Sequence, residues 1–462
     1  MKLPHLLLLL CLCCPGLTEE PTPGATDTQV PVSDEEDSKK ADSCGGQLFS
    51  SEERRSLGGT IERLGLQLLE NLPIVPQQPN IILSPLSVAL ALAHLTLGES
   101  EFSFVCPTIR SKHFPPPGSP TCLHQNVIFA LLKLFLFCFL GFFYLFIFFL
   151  LLGAHNETEQ LLLKTLHAHN LPCYHHILGH LLPHFKNTSL EVATRMYLRP
   201  GFEVKLSFVE ESLARYQSRP VPLVSVEEVN HWIENATNGH ISNFLESIPH
   251  NVMLMLMNAV YFKGEWQTQF DPTMTFKGVF YPDNMKSVSV DMMMSSQYPF
   301  RLLHDPELKA QVASFSFKGN TSFLIVMPVP GIGNVSSVLP KLNISDLYRR
   351  LPQERIMHVN LPKVKLQYRQ ELQEALTSMG LGSLFSGPDL SGITDHPLRV
   401  GSVRHASTVE LSEKGVEASA ATVVTTMRSI SMFSVNSPFL FAIVDDASLV
   451  PLFMGIVTNP AP

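Results

Sequence analysis

One basic residue stands alone near the C-terminal end of this sequence. Between Lys414 and Pro462, Arg428 is the only lysine or arginine. An exposed guanidinium can enter an acidic pocket of a partner through charge-assisted hydrogen bonds, although an isolated surface arginine is more often just a solvated charge. Upstream, residues 418–421 are all Ala or Ser, which suits either a surface loop or a segment that enters packed structure. Arg428 and this small-residue stretch lie within 413–437, which we call the candidate segment.

Other residue patterns that could support chemistry point elsewhere. His176, His180 and His184 fall at i, i+4 and i+8 of a possible helix and would share one face. Three ligands on one helix rarely complete a tetrahedral metal site without a fourth from elsewhere. We interpret them as a surface face and expect no metal and no cofactor. A Gly-x-Ser-x-Gly nucleophile motif is absent, so the sequence does not predict an enzyme.

The elements that would hold the candidate segment are strands and helices in mixed order. Apolar runs at 253–262 and 321–328 predict buried strands. The runs 439–444 and 452–457, joined by a polar stretch, predict a hairpin near the C-terminus. Residues 359–366 alternate in part and predict a further strand. Helical periodicity begins near Ser56 and again at 88–97 after a Ser-Pro pair. Without regular βαβ repetition, this order predicts a large α+β domain.

The N-terminal region predicts export. Residues 1–18 have a basic start, a short apolar stretch and a small-residue exit, as secretory signal peptides do. Residues 19–55 are rich in acidic residues, Pro, Ser and Thr and predict a flexible extension. Six Asn-x-Ser/Thr triplets suit an exported, glycosylated chain: Asn156, Asn187, Asn235, Asn320, Asn334 and Asn343. We therefore expect a secreted, extracellular protein.

Charge excludes some partners. The net charge is −8, from 33 basic and 41 acidic residues, and no dense run of Lys or Arg occurs. Neither nucleic acid nor an anionic membrane surface is therefore expected as a partner.

Residues 99–153 do not fit the rest of the chain. The part from 101 to 150 holds 12 of the 30 phenylalanines, and 127–152 is almost wholly apolar. Twenty-six helical residues would reach about 39 Å, enough to cross a bilayer. A single span after a cleaved signal peptide would, however, place every Asn-x-Ser/Thr triplet on the cytosolic side. Phe codons contain only pyrimidines, so a translated pyrimidine-rich tract before a splice acceptor explains the run better. We interpret 99–153 as a retained intron, with a membrane anchor as the alternative.

Two cysteines remain once the others are placed. Of eight, three lie in the signal peptide and three in 99–153, which leaves Cys44 and Cys173. In an oxidising compartment two leftover cysteines most simply form a disulfide, and two free thiols are the alternative.

Short motifs in a fixed order carry a family resemblance. They are Asn80–Ser87, Asn258–Trp266, Leu361–Lys363, Asp389–Ile393, Pro438–Phe439 and Pro451–Gly455. In this order and spacing the chain resembles the serpin family from about Ser56 to Pro460, with 99–153 excepted. The resemblance implies a serpin fold of about three β-sheets surrounded by about nine helices, with an exposed reactive-centre loop near the C-terminus. It divides the chain into a first part of the domain at 56–98 and the remainder at 154–462.

The resemblance also assigns roles within 413–437. The hinge of inhibitory serpins corresponds to Glu413, Gly415, Val416, Glu417, Ala418, Ser419, Ala420, Ala421 and Thr422. Apart from Val416 and Glu417, the residues after Gly415 have small side chains, which can enter a packed sheet with little overpacking, whereas carrier serpins typically have bulky, charged or Pro residues there. The reactive bond would be Arg428–Ser429. The usual family spacing from Gly415 points to Ser429, one residue later, but Ser429 offers a protease pocket almost nothing to bind.

Expected partners follow from the resemblance. An arginine bait suits trypsin-like serine proteases such as trypsin and plasmin, whose specificity pocket holds an aspartate. Within the family the chain is most similar to the plasmin inhibitors, so Gln29 is a possible transglutaminase site that would attach the extension to fibrin. A non-inhibitory serpin that acts as a carrier is the alternative.

Overall fold

Ten α-helices and fourteen strands make up the part of the chain that the computed structural model describes, residues 49–97, 157–185, 188–283, 285–415 and 432–461. All of these residues fall in the unit Gln47–Pro462. The helices are α1 Ser51–Asn71, α2 Pro85–Thr96, α3 Glu157–Thr165, α4 Tyr174–Phe185, α5 Leu206–Tyr216, α6 Val226–Ala236, α7 Val335–Val338, α8 Ile344–Arg350, α9 Gln373–Leu376 and α10 Ser383–Ser386. The strands are β1 Ile81–Leu83, β2 Leu190–Leu198, β3 Val221–Pro222, β4 Leu254–Trp266, β5 Phe276–Phe280, β6 Val288–Asp305, β7 Ala310–Phe317, β8 Thr321–Pro328, β9 Arg355–Pro362, β10 Val364–Glu371, β11 Val400–Gly415, β12 Met432–Ser434, β13 Phe439–Asp445 and β14 Pro451–Val457.

The strands form three connected sheets, the number that the family resemblance implies. The main sheet has the order β3-β2-β4-β11-β10, and a second has the order β1-β14-β13-β8-β7-β6. A third consists of β5-β6-β9-β12. The 18-residue strand β6 belongs to both the second and the third sheet, and Trp266 of β4 pairs with Phe317 of β7. The sheets are therefore one continuous network.

Strand β4 is covered on both faces, which explains its continuous apolar sequence. Its alternate residues Leu254, Leu256 and Val260 belong to the large core beneath the main sheet. Those in between, such as Met255 and Met257, belong to a smaller core that also contains residues of α6. Helix α6 thus lies over the outer face of the main sheet.

Several predicted elements are confirmed and one is corrected. β8 has the predicted bounds 321–328, and β13 and β14 pair as the predicted antiparallel hairpin. The single strand predicted at 359–366 is wrong, because β9 ends at Pro362 and β10 begins at Val364, with Lys363 between them. A proline that cannot donate a ladder hydrogen bond marks the change of sheet.

Helix α1 begins before the boundary expected from the apolar periodicity. The side chain of Ser50 accepts a hydrogen bond from the N–H of Glu53, and the Glu53 carboxylate accepts one from the N–H of Ser50. This capping box starts the helix at Ser51, within the segment 19–55 expected to be a flexible extension. The acidic residues at its start belong to the first turn of the helix.

The helices on either side of the anomalous segment pack against each other. α2 ends at Thr96, α3 begins at Glu157, and the two are in contact. The core is therefore continuous across the junction. None of the described helices is long and apolar enough to cross a bilayer, and 127–152 lies outside the described residues.

Candidate functional site

The centre of the main sheet is a junction between two parallel strands. Residues 254–264 of β4 lie directly beside 400–411 of β11, and the ladder is irregular beyond that point. β2 and β10 flank this pair, and both are antiparallel to their neighbour. Parallel pairs are slightly less stable per residue than antiparallel ones. We call the β4–β11 junction the seam, and the candidate hinge begins where the seam ends.

The last residues of β11 are held by backbone contacts. The indole N–H of Trp266 donates to the carbonyl of Ser412 at 2.6 Å, and the N–H of Phe270 donates to the carbonyl of Glu413 at 3.1 Å. Trp266 is fully buried among aromatic rings, including Phe317 at 4.5 Å between ring centroids. These hydrogen bonds therefore fix the start of the hinge to the C-terminal end of β4 and to the residues that follow it.

The carboxylate of Glu413 makes a second attachment. Its two oxygens lie 3.0 and 3.3 Å from Nζ of Lys363, and Thr275 Oγ1 donates to it at 2.9 Å. Partial burial raises the pKa of this carboxyl, but a backbone hydrogen bond, Lys363 and Thr275 together hold it below the ordinary value. The carboxylate is thus ionised at neutral pH and ties β11 to the start of β10.

The chain re-enters the described structure at β12, which pairs in parallel with β9. Phe433 is fully buried against Phe300 and Phe315, at 5.9 and 6.2 Å between ring centroids. The N–H of Val435 then donates to the carbonyl of Asn360 at 3.0 Å. Both ends of the candidate segment are therefore anchored to buried parts of the fold.

The structure describes only part of the predicted site. Glu413 and Gly415 lie at the end of β11, as given above. The remaining hinge residues and the proposed reactive bond lie outside the described residues: Val416, Glu417, Ala418, Ser419, Ala420, Ala421, Thr422, Arg428 and Ser429. Their roles stay predictions.

A buried histidine lies in the seam. His405 of β11 stands opposite Asn258 of β4, and its Nε2 accepts a hydrogen bond from the N–H of Ser84 at 3.3 Å. Burial lowers the pKa of His405 to about 4. Beside it, the hydroxyl of Ser407 donates to the carbonyl of Ile82 at 2.6 Å. The segment before α2 is therefore hydrogen-bonded to the underside of β11.

Buried histidines make the fold sensitive to acid. Burial lowers the pKa of His94 and His175, like that of His405, to about 4. The unfolded chain binds these three protons near pH 6.5, so their contribution is complete above pH 6.5 and is lost as the pH falls towards 4. Glu62 acts in the opposite sense, since burial raises its pKa to about 7. We expect stability to fall by on the order of 1–3 kcal/mol per pH unit below 6.5.

Thermal unfolding midpoints between pH 7.5 and 4.5 measure this effect. His94→Gln should flatten the dependence by removing one buried titrating group, whereas His250→Gln, at an exposed position, should leave it unchanged. A midpoint that stays constant from pH 6.5 to 5 would contradict the prediction.

The Asn-x-Ser/Thr residues that the structure describes lie on the surface. Asn235, Asn320, Asn334 and Asn343 are exposed, and Asn156 and Asn187 lie outside the described residues. The side-chain oxygens of Asn334 and Asn343 each accept a hydrogen bond from a backbone N–H at the start of a helix. Cys173 is half-buried, and Cys44 and Gln29 lie outside the described residues. The disulfide, the glycans and the transglutaminase site stay predictions.

The three histidines of α4 have separate neighbours. His176 lies 2.9 Å from Nη1 of Arg215, His180 packs edge-on against Phe49, and His184 lies 3.1 Å from Asp445. Separate partners favour a structural role for this helix face.

Sequence reasoning missed the contacts that hold the hinge. Trp266 and Lys363 occur in motifs that carried the resemblance, but no pattern indicated that they meet Ser412 and Glu413. Thr275 has no distinguishing sequence feature. These contacts join residues between 50 and 146 positions apart, and only the folded chain brings them together.

Comparison with known proteins agrees with this architecture. A family model described as "Serpin (serine protease inhibitor)" matches residues 144–460. Alpha-2-antiplasmin of Mus musculus is 38% identical over 421 residues, which cover 89% of this chain and 74% of that relative. Plasma protease C1 inhibitor of Mus musculus is 30% identical over 322 residues, or 67% of this chain and 63% of that relative.

Solved structures share the fold at low sequence identity. Mouse protein-Z-dependent protease inhibitor has a TM-score of 0.70 and 22% identity, with 89% of this chain and all of that chain covered. Human thyroxine-binding globulin in complex with thyroxine has a TM-score of 0.69 and 20% identity, again with 89% of this chain and all of that chain covered. At these identities the likeness concerns the fold alone.

Proposed function

This chain belongs to the serpin family, and from that premise we propose that it is a secreted inhibitor of trypsin-like serine proteases that offers Arg428–Ser429 as bait. The observation that carries the proposal is the seam, where β4 and β11 are parallel and in direct contact. β11 leads at Gly415 into the small-residue segment that follows it.

The strand directions explain why this segment would enter the seam. A chain that turns back after Gly415 runs antiparallel to β11 and, since β4 is parallel to β11, antiparallel to β4 as well. Insertion would therefore replace one parallel ladder by two antiparallel ladders, which are the more stable type. Serpin reactive-loop insertion is itself an established example of strand addition.

The length of the segment matches the length of the seam. Val416 to Arg428 comprises 13 residues, which span about 44 Å as an antiparallel strand. The paired part of β4, from Leu254 to Gly264, spans about 37 Å at the same rise. Complete insertion would thus move Arg428 from one end of the sheet to the other, together with any protease attached to it.

The attachment would be an ester bond. The protease serine hydroxyl attacks the Arg428 carbonyl carbon, and its proton passes through the protease histidine to the amino group of Ser429. The Arg428–Ser429 peptide bond breaks, Ser429 leaves as a new N-terminus, and Arg428 remains acylated to the protease. Insertion before hydrolysis of this ester would trap the enzyme, so the protein itself is consumed and is not a catalyst.

Target and location follow from the relatives and the N-terminal sequence. The similarity to proteins named alpha-2-antiplasmin favours plasmin as the target, and an arginine bait also suits trypsin. The signal-like residues 1–18 and the exposed Asn-x-Ser/Thr sites support secretion of a glycoprotein, with fibrin as a partner through Gln29. Nucleic acid and membrane are not among the proposed partners.

A protease-trapping experiment tests the proposal. The full chain and a variant that lacks 99–153 are each mixed with trypsin or plasmin, and products are separated in SDS. We expect a band at the summed mass of protease and cleaved inhibitor. If both forms are cleaved but no such complex forms, the inhibitor proposal fails and the carrier alternative replaces it.

A further inference from the structure

A polar cluster crosses the outer face of the seam near its upper end, by which we mean the end from which β11 continues to Gly415. Glu410 of β11 lies beside Lys263 of β4 in the ladder, and their Oε1 and Nζ atoms are 3.6 Å apart. Tyr261, two residues earlier in β4, donates its hydroxyl to Oε2 of Glu410 at 3.4 Å. We call Tyr261, Lys263 and Glu410 the clasp. Among the described residues it is the set of polar side-chain contacts between β4 and β11 on this face, beside the apolar packing of Ala406 with β4.

The clasp is supported by the turn that follows α6. The ring of His240 stacks on Tyr261 with 3.6 Å between centroids and 5° between planes. Asn238 donates its side-chain amide to Glu191 at 2.6 Å, and Glu191 lies opposite Tyr261 on β2. Tyr261 is almost completely buried by these neighbours. Its hydroxyl is therefore held in the position that meets Glu410.

Strand insertion must break the clasp. Neighbouring strands lie about 4.8 Å apart, so a strand placed between β4 and β11 would separate them to about 9.6 Å. Contacts of 3.4 and 3.6 Å cannot span that distance. The clasp thus stabilises only the state in which the seam is closed.

Its position makes the clasp an early barrier. Glu410 lies five residues before Gly415, where the small-residue segment leaves β11 and from which insertion would proceed. The upper end of the seam must open first, and Glu410 lies in that part.

We propose that Glu410 is a positioning residue that sets the rate at which the segment after Gly415 enters the seam. This inference rests on the proposed function and goes beyond it. A slower entry leaves more time for the acyl-enzyme to hydrolyse, so the clasp adjusts the division between trapped protease and released, cleaved inhibitor. A clasp that is too stable slows insertion and favours release of the protease. A clasp that is too weak lets the uncleaved segment enter the seam before any protease is bound.

A synthetic peptide isolates the opening step from the protease reaction. A fluorescently labelled peptide with the sequence of residues 416–428 is incubated with the full protein, and its uptake is followed by anisotropy. We expect Glu410→Ala to take up the peptide about five to ten times faster than the parent, with Glu410→Gln in between. The rate of cleavage at Arg428 by trypsin should not change.

Glu265→Ala is the matched control. Glu265 also lies on β4, and its Oε2 forms an ion pair with Nζ of Lys318 at 3.0 Å. This ion pair does not cross the seam. The rate at which the Glu265→Ala variant takes up the peptide should stay within twofold of the rate of the parent. Tyr261→Phe should accelerate uptake in the parent but add nothing when Glu410 is already alanine, because both changes remove the same contact.

The outcomes separate this inference from the proposed function. Equal uptake by Glu410→Ala and Glu265→Ala, or full additivity of Tyr261→Phe with Glu410→Ala, would overturn the role of the clasp. If uptake follows the expected order but the parent never traps a protease, the inhibitor proposal fails while the clasp stands. A parent protein that takes up no peptide, with Glu410→Ala equally inert, would overturn the role of the clasp, and the trapping experiment would still test the inhibitor proposal by itself.

Discussion

Replacement of Arg428 by alanine should lower the rate of inhibition of trypsin and plasmin by about 10⁴-fold. A protease pocket built around a buried carboxylate rejects a ligand that leaves this charge unpaired, and discrimination of this size is typical of such sites. Because Arg428 lies in the segment between β11 and β12, its removal should leave the thermal unfolding midpoint unchanged. The measurement is the second-order rate constant for loss of protease activity.

Two controls sharpen this experiment. Arg63→Ala changes an exposed arginine of α1 and should retain full inhibition. N-terminal sequencing of the fragment released from the parent should begin at Ser429. A fragment that begins at Ile430 would place the reactive bond one residue later, as the usual family spacing suggests, and would contradict the assignment of Arg428.

Replacement of Ala420 by proline should convert the inhibitor into a substrate. Proline lacks the N–H that an inserted central strand must donate, and its ring restricts the backbone. An unmade buried hydrogen bond costs on the order of 2–3 kcal/mol, which would slow insertion by about 10²-fold. Arg428 should still be cleaved at the normal rate, but the complex that resists SDS should disappear.

Ala420→Ser is the matched control, since serine is also small and keeps its N–H. It should trap protease with the stoichiometry of the parent. Undiminished trapping by Ala420→Pro would show that residue 420 does not enter the sheet, and the insertion mechanism would then need another route.

Local patterns predicted much of the fold. The bounds of β8 follow from an apolar run between a Gly-Asn turn and prolines, and the β13–β14 hairpin follows from two apolar runs around a polar connection. The early start of α1 was also encoded locally, because Ser50 and Glu53 form the Ser-x-x-Glu pattern of a capping box. The acidic composition of the preceding extension obscured it. The alternation of apolar and polar residues continues from β9 into β10 although the two strands lie in different sheets, so the sequence pattern predicts a single strand.

The sequence by itself determined the class of the fold, the family resemblance and the candidate segment, because apolar periodicity, turn residues and ordered motifs are properties of neighbouring residues. Only the tertiary structure decided which strands meet in the middle of the main sheet. β4 and β11 are separated by more than 130 residues, and their parallel pairing depends on long connections whose direction no local pattern specifies. The same holds for the contacts that β11 makes. Glu413 with Lys363, His405 with the backbone N–H of Ser84, and Glu410 with Tyr261 across the seam become partners only because the folded chain places them within a few ångströms.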